Sequence, residues 1–282
     1  MNTSVQPVAS RQAVLLATLM MGSVAAIAQD APALPLWEVG VFVGGVSTPA
    51  YPGSESRTAR VIPLPVFIYR GEVFRADEDG VGARLLRTDS FELDVGFAGS
   101  LPASSKDVTA RFGMPNLGTL IEFGPRLNIT LARPDPRSRV KLELPLRAVL
   151  EFNAGVRRTG LTFEPQITYE SRNLGAGVDF SLAASVVFGD RQLNNYFYGV
   201  APQFATAARP TFDSKAGLIA SRLGMSLSRK INQDVSVFSI LQLDNHAGAA
   251  NQGSPLFLKS SGLSIGLGLA WTLGRSENKV SN

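Results

Sequence analysis

The chain holds one histidine, His246, in Asp244-Asn245-His246, and no cysteine. A nucleophile–imidazole system would have to join His246 to a serine, and Ser221, Ser239 and Ser254 qualify only because serine is abundant. No Gly-x-Ser-x-Gly elbow occurs. A lone histidine in a loop rich in Asn and Gly reads as a solvated loop residue. Ser138-Arg-Val-Lys141 spells the Ser-x-x-Lys of penicillin-recognising enzymes, but it opens a strand pattern and its companion motifs are missing. Asp77-Glu-Asp-Gly80 is acidic enough for calcium, yet it lacks the EF-hand spacing and reads as a turn. Gly262, Gly266 and Gly268 fall on the polar face of the last strand and fit close backbone approach, not a phosphate loop. The expectation is no catalytic residue, no cofactor and no metal site.

The charges with information in their spacing are Glu92, Asp94, Glu122, Arg126, Lys141, Glu143, Arg147, Glu151, Glu164, Glu170, Asp179 and Arg222. All stand on the polar side of alternating segments. Val140, Leu142, Leu144, Leu146, Ala148, Leu150 and Phe152 alternate with Lys141, Glu143, Pro145, Arg147, Val149 and Glu151. The final segment repeats this, with Leu263, Ile265, Leu267, Leu269, Trp271 and Leu273 against Ser264, Gly266, Gly268, Ala270 and Thr272. Ile219, Leu223, Met225 and Leu227 likewise turn away from Arg222, Gly224, Ser226 and Ser228. Period two is a strand with one apolar and one polar face.

Several such segments exceed the roughly 9–11 residues that cross a bilayer at a tilt, whereas soluble strands run about 5–6. A soluble sandwich would bury the apolar face; a membrane barrel turns it to lipid and encloses the polar one. Length and the small residues on the polar face favour the barrel. A charge facing lipid near the midplane would cost about 2–4 kcal/mol, so the charged residues are expected in the lumen. They form either a salt-bridged filling or the lining of a narrow channel.

The expected fold is all-β, an antiparallel up-and-down transmembrane barrel of about 12 strands (10–14). The segments are 37–47, 60–70, 72–86, 90–100, 118–132, 138–153, 160–171, 174–188, 196–206, 215–230, 233–245 and 258–273. An even count puts both termini in the periplasm and the loops 48–59 and 246–257 outside. Loop 101–117 then falls on the periplasmic side, unless a strand break near 77–80 has been missed. Trp37 and Trp271 open the first strand and close the last, and are expected in an aromatic girdle at the periplasmic rim.

Residues 13–26 form a short apolar run after Arg11, and Ala26-Ile27-Ala28 supplies the small residues that signal peptidase reads. Residues 1–28 are expected to be a cleaved secretory signal, and 29–282 one barrel domain with a polar tail at 274–282. No later run is long and apolar enough for a transmembrane helix. The net charge of +4 is spread along the chain without a basic cluster, so a nucleic-acid partner is not expected.

Tyr51-Pro-Gly-Ser54, Pro63-Leu-Pro65, Tyr69-Arg70-Gly71, Gly80-Val-Gly-Ala-Arg84, Gly124-Pro-Arg-Leu127, Tyr196-Phe-Tyr-Gly-Val200 and Gly268-Leu-Ala-Trp271 occur in the order seen in the MipA/OmpV family. The chain resembles that family of outer-membrane proteins over nearly its whole mature length. The resemblance implies a barrel in the outer membrane of a Gram-negative cell, in contact with its lipid. It also implies a non-enzymatic scaffold for murein-processing enzymes, a lytic transglycosylase and a murein synthase. A small-solute pore is the alternative; an adhesin or an outer-membrane lipid hydrolase ranks below it.

Overall fold

The computed structural model describes residues 34–280 except 72–73, 78–79, 89 and 154. The segment 1–28, expected to be a signal, lies outside the described residues. Twelve antiparallel strands make the wall: β1 (Trp37–Pro49), β2 (Arg57–Arg70), β3 (Phe74–Asp77), β4 (Gly80–Arg87), β5 (Phe91–Ser100) and β6 (Thr119–Asp135). Then come β7 (Ser138–Phe152), β8 (Val156–Phe163 and Gln166–Ser171), β9 (Val178–Gly189), β10 (Gly217–Lys230), β11 (Val235–Asn245) and β12 (Ser261–Arg275). Both parts of β8 lie between β7 and β9, so the break at Glu164-Pro165 interrupts one strand. Each strand pairs with its sequence neighbours, and β12 pairs with β1 to close the barrel.

The alternation gives the wall its two faces. Along β12 the odd residues Leu263 to Leu273 are exposed on the outside, while Ser264 and Gly266 are buried. With no free edge between first and last strands, the backbone groups there are satisfied, as a membrane requires. Ile219 departs from the expected apolar side. The β9–β10 register skips it between Ala220 and Leu218, and this bulge turns it inward to 3% exposure.

Two sequence expectations are corrected. Segment 72–86 is two strands, β3 and β4. Segment 196–206 is not a strand. Helix α1 (Arg191–Tyr198) ends there, capped at its start by the Asp190 carboxylate accepting the Leu193 N–H at 2.7 Å, and a 3₁₀ turn follows at Pro202–Phe204. The extra break moves loop 101–118 to the end opposite the termini, where loops 50–56, 190–216 and 246–260 also lie. The polar tail does not trail free either. β12 continues to Arg275 across a bulge, and Lys279-Val280 pairs with Leu34-Pro35.

Candidate functional site

At the end opposite the termini the four long loops share one apolar cluster. Tyr51, Val108, Met114, Leu117, Tyr198 and Leu256 are among its buried members, one or more from each loop. Helix α1 reaches down into the mouth, where Leu193 packs on Leu120, Val149, Val187 and Ile219 of the wall. The approach is close. A Cβ at Gly160, whose φ is +138°, would stand 2.4 Å from Asp190 Oδ1.

Polar bonds fasten the loops together. The Tyr51 hydroxyl donates to the Leu256 carbonyl at 2.6 Å, and the Ser254 hydroxyl donates to the Tyr198 carbonyl at 2.7 Å. Asn251 accepts from Lys215 N–H and donates back to its carbonyl. Arg111 donates to the Phe197 carbonyl at 3.0 Å and lies 5.8 Å over the Tyr51 ring. Burial pulls its guanidinium below the usual arginine range, and burial pushes the Tyr51 phenol up to about 12. The Tyr196 and Tyr198 phenols are raised for the same reason, Tyr196 further by the Glu151 carboxylate that it donates to.

His246 is not solvated, as the sequence suggested, but 1% exposed. Its Nε2 accepts the Gly53 N–H and its Nδ1 lies 2.9 Å from the Ile219 carbonyl. Both ring nitrogens are thus engaged by backbone, and the hydrogen-bond network assigns the proton to Nδ1. Ser254, a nominal nucleophile, is buried with its hydroxyl on the Tyr198 carbonyl. Ser138 begins β7 and donates to Asp135, which is a turn bond.

Beneath the loops the charges are paired across strands. Arg222 Nη1 meets Glu164 at 2.8 Å and its Nε meets Asp244 at 2.8 Å. Arg147 stands 3.8 Å from Glu122 and 3.7 Å from Glu164, completing a five-membered chain. Nearer the termini, Arg126 pairs with Asp94 at 2.6 Å, and Lys141 joins Glu143 at 3.1 Å to Glu170 at 2.5 Å. Glu92 pairs with Arg84 at 2.9 Å. The structure therefore gathers most of the expected lumen charges into one five-membered chain and three smaller groups.

Two of them sit elsewhere. Asp179 accepts the Asn173 N–H at 2.8 Å and holds the 172–177 turn. Glu151 is buried under the loops, accepting from Gly118 N–H and Tyr196 OH, and pairs with Arg157. Sequence reasoning missed the partners Glu38, Arg70, Arg84, Arg139 and Asp244. Asp244 was visible through its period-two place opposite Leu243, but its neighbour His246 drew attention instead. Trp37 and Trp271 both face outward, 37% and 52% exposed, and Trp271 pairs with Val235 at the start of β11.

The loop cluster thus stands over ion pairs that join neighbouring strands of the wall. Residues 41–273 match the family described as MltA-interacting protein MipA. The chain belongs to this family. No curated protein matches it. Among solved structures, the translocator domain of autotransporter NalP from Neisseria meningitidis is similar at 12% identity, 84% of this chain, 88% of that chain and TM-score 0.46. An outer-membrane channel from Pseudomonas putida F1 is similar at 8% identity, 86% and 97% coverage and TM-score 0.47. Membership of the MipA family and the closed barrel together make this an outer-membrane β-barrel protein.

Proposed function

We propose that this MipA-family barrel is a non-enzymatic anchor that holds a murein-processing enzyme against the inner face of the outer membrane. The observation that carries the reading is the loop cluster packed across the far mouth. Four loops packed on Tyr51, Tyr198 and Leu256 leave the periplasmic end as the working face. The family description, an MltA-interacting protein, supports an interaction role; the partner class, a lytic transglycosylase with a murein synthase joined through it, is the one the family resemblance implies.

The periplasmic rim has chemistry suited to an acidic partner. Arg87, Arg133, Arg137, Arg229 and Lys230 are exposed on the short turns or strand ends there, against Asp135 and Asp234. Charges of one sign on a rim speed association and set its salt dependence. The test is co-purification from solubilised membranes. Wild-type chain is expected to recover a lytic transglycosylase, and Arg133→Glu with Arg137→Glu to recover much less. Recovery of no murein enzyme by the folded wild type would contradict the reading.

A small-solute pore is the second reading, favoured only by the cavity of ≈ 360 Å³ under the loops. Planar-bilayer recording separates the two: an anchor is expected to be electrically silent.

A further inference from the structure

Among the described residues the wall has a break. β2 pairs with β1 from Arg57 to Tyr69, but its described pairs with β3 are Tyr69 and Arg70 alone. On the other side, β4 accompanies β5 no further than Gly96, and Phe97–Ser100 have no partner there among the described residues. β2 and β5 thus stand apart beyond the paired parts of β3 and β4. Three strand spacings separate them there, roughly 14 Å. Arg60 bridges the top of this notch by donating to the Pro102 carbonyl at 3.1 Å.

The β2 sequence fits an open edge. Arg70 N–H donates to the Leu36 carbonyl, so even-numbered residues aim their backbone groups at β1 and odd-numbered ones at the notch. Pro63 and Pro65 are odd-numbered and have no N–H. The middle of the edge therefore offers no donor to a partner, which is how natural edges resist strand addition. A strand from another protein or a second copy would lose two successive rungs here. The occupant of the notch is not a strand.

Behind the notch lies the ≈ 360 Å³ cavity, lined on that side by Ala98, Leu101, Leu117 and Leu120 and closed above by the loops. Its deep charges are already paired. Arg57 and Arg60, exposed at the far end of the open edge, have no carboxylate partner among the described residues: Arg57 donates to the Ser47 hydroxyl of β1 and Arg60 to the Pro102 carbonyl. We propose that the notch is a side entrance from the membrane that admits the acyl chain of an anionic lipid, its head group held at Arg57 and Arg60. This goes beyond the anchoring role, and it places a binding site in the wall, away from the periplasmic rim.

The test is photolabelling of the full mature chain in neutral detergent with a diazirine-bearing sixteen-carbon fatty acid, followed by peptide mapping. Adducts on 98–101 and 117–120 are expected, and excess palmitate should suppress them while leaving labelling of the outer wall unchanged. Ala98→Trp, which fills the inner side of the notch, should reduce the interior adducts at least tenfold. Arg57→Gln with Arg60→Gln should reduce them about fivefold for the acid and little for its methyl ester. Heat-modifiable migration on gels checks that each variant is folded. Adducts confined to outward residues of the wild type would overturn the proposal, whatever the variants do. So would equal labelling of folded Ala98→Trp, or equal loss of acid and ester in the arginine variant.

Discussion

His246, in the last outer loop, ties that loop to the first and to the wall: Gly53 N–H donates to its Nε2 at 3.3 Å while its Nδ1 lies 2.9 Å from the Ile219 carbonyl. The ring also meets Phe257 edge-on at 6.0 Å. A buried amide and a buried carbonyl thus depend on one side chain. His246→Phe keeps the ring and leaves both backbone groups unpaired, at a cost of about 2–4 kcal/mol. Hydrogen exchange is expected to accelerate in loops 50–56 and 246–260 while the β11–β12 ladder is unchanged. Unaltered loop exchange would show that the latch contributes nothing.

Alkali should loosen the same loops. The Tyr51 phenol has an ordinary value of 10.0 and is pushed up to about 12 by burial, partly offset by Arg111. The folded state favours its neutral form, so its contribution is complete below pH 10 and is lost as pH rises through about 12. Tyr51→Phe removes the bond to the Leu256 carbonyl, costing about 1 kcal/mol, and also removes that titration step. Absorbance at the phenolate band, wild type minus variant, should show one group titrating near 12.

Arg222 holds two carboxylates, Glu164 and Asp244. Arg222→Met leaves both in a lumen with fewer counter-charges and is expected to cost about 3–5 kcal/mol. Arg147→Met should cost less, since its contacts are 3.7 and 3.8 Å long. Neutralising all three groups with Arg222→Met, Glu164→Gln and Asp244→Asn should recover most of the loss. Denaturant unfolding in lipid vesicles measures it, and an Arg222→Met barrel as stable as wild type would dismiss the network.

The wall was legible because period two survives without tertiary help: each face of β7 and β12 can be read one residue at a time. The strand number came out at twelve through two compensating errors. β3 ends at Asp77 and β4 begins at Gly80, too close for the sequence pattern to show a break, and Tyr196-Phe-Tyr has aromatic strand character. The helix signal was nonetheless present, in Asp190 three residues before Leu193. The loop cluster across the mouth was not legible. It depends on contacts such as Tyr51 with Leu256, which lie far apart in the chain and follow no local period. Ion partners such as Asp94 with Arg126 needed the register, and register needed the turns.

The orientation of the wall is tested most directly by single cysteines along β12, in a chain that has none of its own. Spin labels at Leu263, Ile265, Leu267 and Leu269 in lipid vesicles should be relaxed by oxygen dissolved in the membrane, and labels at Ser264 and Ala270 should be shielded. The opposite phase, with even positions in lipid and odd positions shielded, would contradict the barrel described above.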